Sequence, residues 1–204
     1  MLSKAYIPFR GYYSSPFVRW QGAFANDNAI VLGAETSKKW FKQKQWNPAI
    51  IDYFIYGMSV HQKHGFWANT WAPALMGAER ITGIIIHQAC TTAATVIYQA
   101  AVGIETGMYT LPYCLVGDRI SNSPHCVWPN PKGKGGKVES EDWVTDNFNK
   151  DPWAGQSMIQ TADNMARLGK MTRKQLDDCT LLRHEQYKKS LENDREFKKT
   201  YTFN

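Results

Sequence analysis

Cys90 stands between the apolar run Gly83-Ile84-Ile85-Ile86 and a stretch of small and apolar residues, 91–107, with the spacing of a helix. A cysteine in the first turn of a helix meets unsatisfied N–H groups and the positive end of the helix dipole. Both favour the thiolate, the form that attacks a carbonyl carbon. The same N–H groups can hold the oxyanion that forms when a thioester is attacked. A free cysteine can instead serve as a small core side chain. The strand–Cys–helix setting favours the nucleophile.

Other candidates carry less. Residues 132–137, Lys-Gly-Lys-Gly-Gly-Lys, could cradle a phosphate, but they miss the P-loop spacing and no Ser or Thr follows the last lysine. They read as a flexible solvated loop. His61 and His64 follow an expected strand in an aromatic region and read as packing or surface groups; His87 reads as locally packed or hydrogen-bonded. His125-Cys126 has no further ligands at useful spacing, so no metal site is expected. His184 belongs to a charged helix face. Cys114 and Cys179 read as core cysteines, and Asp118-Arg119 as a structural ion pair or a helix-facing contact.

The elements that must position Cys90 follow from periodicity. Residues 5–8 form a short apolar run, a candidate opening strand before a turn at Arg10-Gly11. Residues 23–46 repeat apolar side chains at helical spacing up to Asn47-Pro48. Residues 50–60 are β-branched and aromatic, a strand; 67–77 are a short helix. Residues 83–89 are a buried strand, continuous rather than alternating, as in a sheet covered on both faces. Residues 113–116 are the next strand. Strands and helices alternating in this way give a largely parallel α/β sheet. Residues 120–151, rich in Pro, Gly and Asn, read as a long irregular region. Residues 158–168 are an amphipathic helix ended by Gly169, and Thr172-Arg173-Lys174-Gln175 opens another with a capping box. The closing Thr200-Tyr201-Thr202-Phe203 looks like a strand without a partner.

Composition agrees with a folded globular domain. The 204 residues are 43% hydrophobic and 21% charged, which excludes a disordered chain. The most apolar stretch, 81–107, is broken by His87, Gln88, Gln99 and Glu105 and cannot span a bilayer. The N-terminus lacks the apolar core of a secretory signal. The net charge of +6 points to an anionic partner. Basic residues in 167–199 are interleaved with acids, a solvated helix face rather than a nucleic-acid footprint. The four cysteines show no CxxC spacing, so a reducing, cytoplasmic setting is expected.

Three blocks, in order, resemble the thiolases. Ile84-Ile85-Ile86-His87-Gln88-Ala89-Cys90-Thr91-Thr92-Ala93 is similar to the strand-turn-helix around that family's acyl-accepting cysteine. Tyr113-Cys114-Leu115-Val116-Gly117-Asp118-Arg119 resembles the following strand and its glycine-bearing exit. Met158-Ile159-Gln160-Thr161-Ala162-Asp163-Asn164 and Thr172-Arg173-Lys174-Gln175-Leu176-Asp177 resemble the loop-domain M-x-x-T-A-E-N helix and its T-R-E-E-x-D successor. The chain departs from the family at Thr91-Thr92, where degradative thiolases often carry Gly and Ser. It departs again at Ser157, often a histidine, and at Val116-Gly117-Asp118-Arg119, where the family has Gly-Gly-Met-Glu.

The resemblance implies a thiolase-like α/β fold: an N-terminal α/β half at 1–120 carrying the nucleophile, and a loop-domain portion at 121–204, an irregular segment followed by helices. It implies an acyl-CoA C-acyltransferase of fatty acid metabolism, cleaving or condensing 3-ketoacyl-CoA through an acyl-enzyme on Cys90. Met158, with Ser157 beside it, would lie near the acyl chain and pantetheine. Coenzyme A and acyl-CoA are substrates, with no resident cofactor. The family's catalytic histidine and second cysteine belong to a C-terminal half not found in these 204 residues, so either a second polypeptide supplies it or the chain is a fragment. A homo- or hetero-oligomer is expected, with no nucleic acid or membrane partner. The alternatives are a ketoacyl-synthase-like or hydroxymethylglutaryl-CoA-synthase-like condensing enzyme, and a non-catalytic acyl-CoA-binding or assembly subunit.

Overall fold

The computed structural model describes residues 2–203. The chain forms two compact units, Met1–Ser123 with Tyr201–Asn204, and Pro124–Thr200.

The first unit is a three-layer α/β/α arrangement. Its parallel sheet has the order β2-β1-β3, with β1 at Tyr53–Gly57, β2 at Gly83–Ile86 and β3 at Pro112–Val116. Successive side chains of a strand point to opposite faces, so β1 needs cover on both. Phe54 and Tyr56, fully buried, pack against Ile30, Ala34, Trp40 and Phe41 of α1 (Ala29–Lys44) and Ala68, Ala72 and Met76 of α2 (Ala68–Met76). Ile55 faces the other way, into Val96 and Ala100 of α3 (Thr92–Thr106) and Tyr109. The central strand β1 is covered on both faces, whereas residues 83–89, expected as a buried strand, give an edge strand that ends at Ile86 and is only half-buried.

Helix α1 begins later than its periodicity suggests. Asn28 accepts the Ile30 N–H at 2.9 Å and caps the helix, leaving residues 23–27 in turns. Lys42 and Lys44 in its last turn complement the dipole.

Residues 5–8 are not a strand. The backbone N–H groups of Ser3, Lys4 and Ala5 converge on the Glu105 carboxylate of α3, which anchors the start of this segment without a ladder. Those bonds hold the Glu105 carboxyl below its ordinary range. The closing residues do find a partner. Ser14 N–H donates to the Tyr201 carbonyl at 2.8 Å and Phe203 N–H to the Ser14 carbonyl at 3.0 Å, a single parallel bridge of Ser14 with Thr202. Phe203 then packs edge-on against Tyr13.

The second unit corrects the expectation of an irregular 120–151. An antiparallel hairpin pairs β4 (His125–Pro129) with β5 (Val138–Asp142), and the lysine- and glycine-rich residues form its connection. Prolines 124, 129 and 131 masked it in the sequence, yet Pro129 sits at the strand end, where a missing N–H is tolerated. A short α4 (Thr145–Asn149) follows. Helices α5 (Met158–Leu168) and α6 (Arg173–Lys189) both open with complete capping boxes, and α7 spans Glu192–Tyr201. Cys179, expected in a core, is exposed on α6, because that helix buries none of its residues. Among the described residues no helix is long and apolar enough to cross a membrane.

Candidate active site

In a parallel sheet, ligands gather beyond the carboxyl ends of the strands. Here those ends carry Ser59 and His61 after β1, His87 to Cys90 after β2, and Asp118 after β3. The in-register pairing of Gly57 with Ile86 on one side and Val116 on the other brings the three exits level.

The turn from β2 into α3 is sharp. Ala89 has φ of 43°, the left-handed region that costs a residue with a Cβ about 1–2 kcal/mol. Cys90 follows in a 3-10 turn, Ala89–Thr91, that runs straight into α3. Threonines fasten this elbow. Thr92 Oγ1 donates to the Ala89 carbonyl at 2.7 Å and accepts the Gln88 N–H at 2.9 Å; Thr91 Oγ1 donates to the Gln88 carbonyl at 2.9 Å. Thr95 also bonds the Gln88 side chain. The Thr91-Thr92 departure from the thiolase pattern thus has a structural role: two hydroxyls replace the freedom of small residues.

Cys90 is exposed at the tip of this elbow. No acidic residue occupies the first turn of α3, so nothing there offsets the positive end of the dipole. Cys114 makes the contrast. It is partly buried, its Sγ 3.9 Å from the Val96 carbonyl, and burial pushes its thiol up to about 11. Cys126 is half-buried on β4.

Sequence reasoning read His61 as a packing or surface group and His87 as locally packed or hydrogen-bonded. Their rings meet edge to face at 5.7 Å between centroids. Partial desolvation and the neighbouring His87 lower the His61 pKa, against an opposing pull from Asp118. Asp118 and Arg119, expected as a structural ion pair or a helix-facing contact, take separate partners. Asp118 Oδ1 accepts the Ser59 and Val60 N–H groups, both at 2.8 Å, and Arg119 Nη2 donates to the Asn122 carbonyl at 3.0 Å. The signal for the Ser59–Asp118 contact was available only as topology: three parallel strands of known order place residues one or two beyond their ends side by side.

Met158 and Ser157 belong to the second unit, adjacent at the start of α5. Ser157 is the N-cap: its hydroxyl accepts the Gln160 N–H at 3.3 Å, while Gln160 Oε1 accepts the Ser157 N–H at 2.9 Å. Met158 is half-buried at the first helical position. His125, also in this unit, faces Asp142 at 3.7 Å across the hairpin. Among the described residues no group of three or more His, Cys, Asp or Glu is arranged to hold a metal ion.

Solved structures share this architecture. The acetyl-CoA acetyltransferase of Bacillus anthracis superposes with a TM-score of 0.78 at 23% identity, covering 92% of this chain and 48% of that one. Human mitochondrial 3-ketoacyl-CoA thiolase gives a TM-score of 0.80 at 19% identity over 93% of this chain and 48% of its own. The same human enzyme in complex with CoA gives 0.79 at 20% identity, with 93% and 48% covered. The chain therefore spans about half the length of the solved structures it matches. No curated protein sequence matches it. The model of the thiolase N-terminal domain matches residues 11–200, nearly the whole chain, and the chain belongs to that family.

Proposed function

We propose that this chain supplies the nucleophile of a thiolase-type acyl-CoA acyltransferase, with Cys90 accepting the acyl group. The observation that carries the reading is the Cys90 elbow, an exposed thiol after a left-handed Ala89 at the start of α3, beyond the carboxyl end of a parallel sheet. Family membership and the CoA bound by the human relative support it.

In the cleavage direction, the Cys90 thiolate attacks the 3-keto carbon of a 3-ketoacyl-CoA, and N–H groups at the start of α3 stabilise the oxyanion. The C2–C3 bond breaks, its electron pair leaves with the acetyl-CoA carbanion, and that carbanion takes a proton. The thiol of CoA then attacks the Cys90 thioester, transfers the acyl group to sulfur and releases the cysteine. Each proton transfer is worth about 10²–10⁴-fold when a positioned group performs it. We assign those groups to the family's C-terminal half, whether it continues the same polypeptide or comes from a second one. Met158 and Ser157 would meet the acyl chain and pantetheine.

The test is to isolate the chain from its own cells with its associated polypeptides, add acetyl-CoA, quench in acid and map the acyl mass. Acetyl on the Cys90 peptide is the expected result. Acetyl confined to Cys114, Cys126 or Cys179 overturns the proposal.

A further inference from the structure

We infer that Ser59 and Asp118 are positioning residues for Cys90, forming a brace across the three strand ends that holds the left-handed turn at Ala89. The inference rests on the reading of Cys90 as the nucleophile.

The Ala89 backbone sits in a conformation that its own side chain disfavours, so the surroundings must hold it there. Its carbonyl oxygen is the point of attachment. From within the turn it accepts Thr92 Oγ1; from the segment just after β1, 30 residues away in sequence, Ser59 Oγ approaches it at 3.2 Å. Ser59 is itself fixed from β3. Asp118 Oδ2 takes the Ser59 hydroxyl at 2.7 Å, and Oδ1 takes the backbone N–H groups of Ser59 and Val60. The single hydroxyl proton of Ser59 lies between a carboxylate and the carbonyl that precedes Cys90. The end of β3 thus fixes the end of β1, and the end of β1 steadies the elbow. None of these bonds belongs to a helix or a strand ladder, so the fold as a whole does not require them.

The substitutions separate geometry from charge. Ser59→Ala removes the hydroxyl, and Ser59→Thr keeps it. Asp118→Ala removes every acceptor. Asp118→Asn keeps Oδ1 for the two N–H groups, and its amide donates to Ser59 Oγ, releasing the serine proton wholly to Ala89.

The full chain is treated with iodoacetamide, and the alkylation rates of the Cys90 and Cys179 peptides are followed by mass spectrometry beside a thermal melt. Cys179, exposed on α6, is the internal reference. Loss of one such hydrogen bond should slow Cys90 by about five- to tenfold in Ser59→Ala and Asp118→Ala, while Ser59→Thr and Asp118→Asn stay within about twofold of wild type. Cys179 should not change in any variant. A wild-type Cys90 rate in Ser59→Ala, or Cys90 and Cys179 changing in step, overturns the inference. If Asp118→Ala fails to fold, Ser59→Ala decides alone. Alkylation needs no acyl-CoA. The expected pattern without acyl transfer to Cys90 would refute the proposed function and leave the brace standing, and the reverse result would refute only the brace.

Discussion

A methyl group on Gly57 would lie 2.8 Å from Cγ2 of Val96, so the last residue of β1 and the second turn of α3 are in contact only because Gly57 lacks a side chain. The same methyl would meet Cγ2 of Thr92 at 2.9 Å. Thr92 ties the elbow together, so the space above Gly57 sets how low the Cys90 turn can sit on the sheet.

Gly57→Ala should therefore lower stability by about 1–3 kcal/mol through overpacking and slow Cys90 alkylation as α3 is pushed outward. Denaturant unfolding and the alkylation rate measure the two effects. A wild-type midpoint would mean that the helix yields freely.

Tyr13, Tyr56 and Tyr113 set an alkaline limit. Burial raises all three above the ordinary tyrosine value, and Tyr13 and Tyr113 share a hydroxyl contact at 2.5 Å. The folded state holds these protons more tightly than the unfolded state. Stability is thus intact below a pH of about 10 and lost as pH rises through the raised folded values. Phenolate absorbance should lag for these residues and appear together with loss of far-ultraviolet dichroism. Independent, reversible titration of all ten tyrosines near the ordinary value would contradict this.

His61 sets the opposite trend. Its folded pKa is lowered, so the unfolded state binds the proton first as pH falls. The contribution is complete above the ordinary histidine value of about 6.5 and declines as pH drops through the lowered folded one. In His61→Gln the dependence of melting temperature on pH across that window should flatten. An unchanged slope would place the dependence on other groups.

Ser157 and Met158 can be separated. Ser157→Ala should cost about 1 kcal/mol as a lost cap, and Ser157→Asp should restore it. Met158→Ala should change the ratio of turnover for short and branched acyl-CoAs in the complete assembly. Equal losses for every substrate with a lowered melting point would make Met158 a packing residue.

The sequence made the strand–Cys–helix unit and the capping box of α6 legible because each is local: a continuous apolar run, a cysteine, then helical spacing, or Thr172 three residues before Gln175. The equivalent Ser157–Gln160 box of α5 was as local and was missed. The hairpin at 125–142 was not, because its pairing links Cys126 to Glu141 and Val127 to Ser140, and no local periodicity reports a cross-strand partner. The tail failed for the same reason, since Thr202 finds Ser14. The brace shows the limit most clearly. No local pattern links Ser59, Ala89 and Asp118, and only strand order and register bring them together.

The bridge between Ser14 and Thr202 also makes the second unit an insertion, threaded into the first between Ser123 and Tyr201. The closing contact includes two backbone hydrogen bonds, a Tyr12–Tyr201 ring stack and the Phe203 side chain. Closing a loop costs only about 0.6 kcal/mol more for each doubling of its length. The inserted segment is therefore free to lengthen, shorten or be exchanged by recombination while the sheet and its cysteine elbow keep the same clasp.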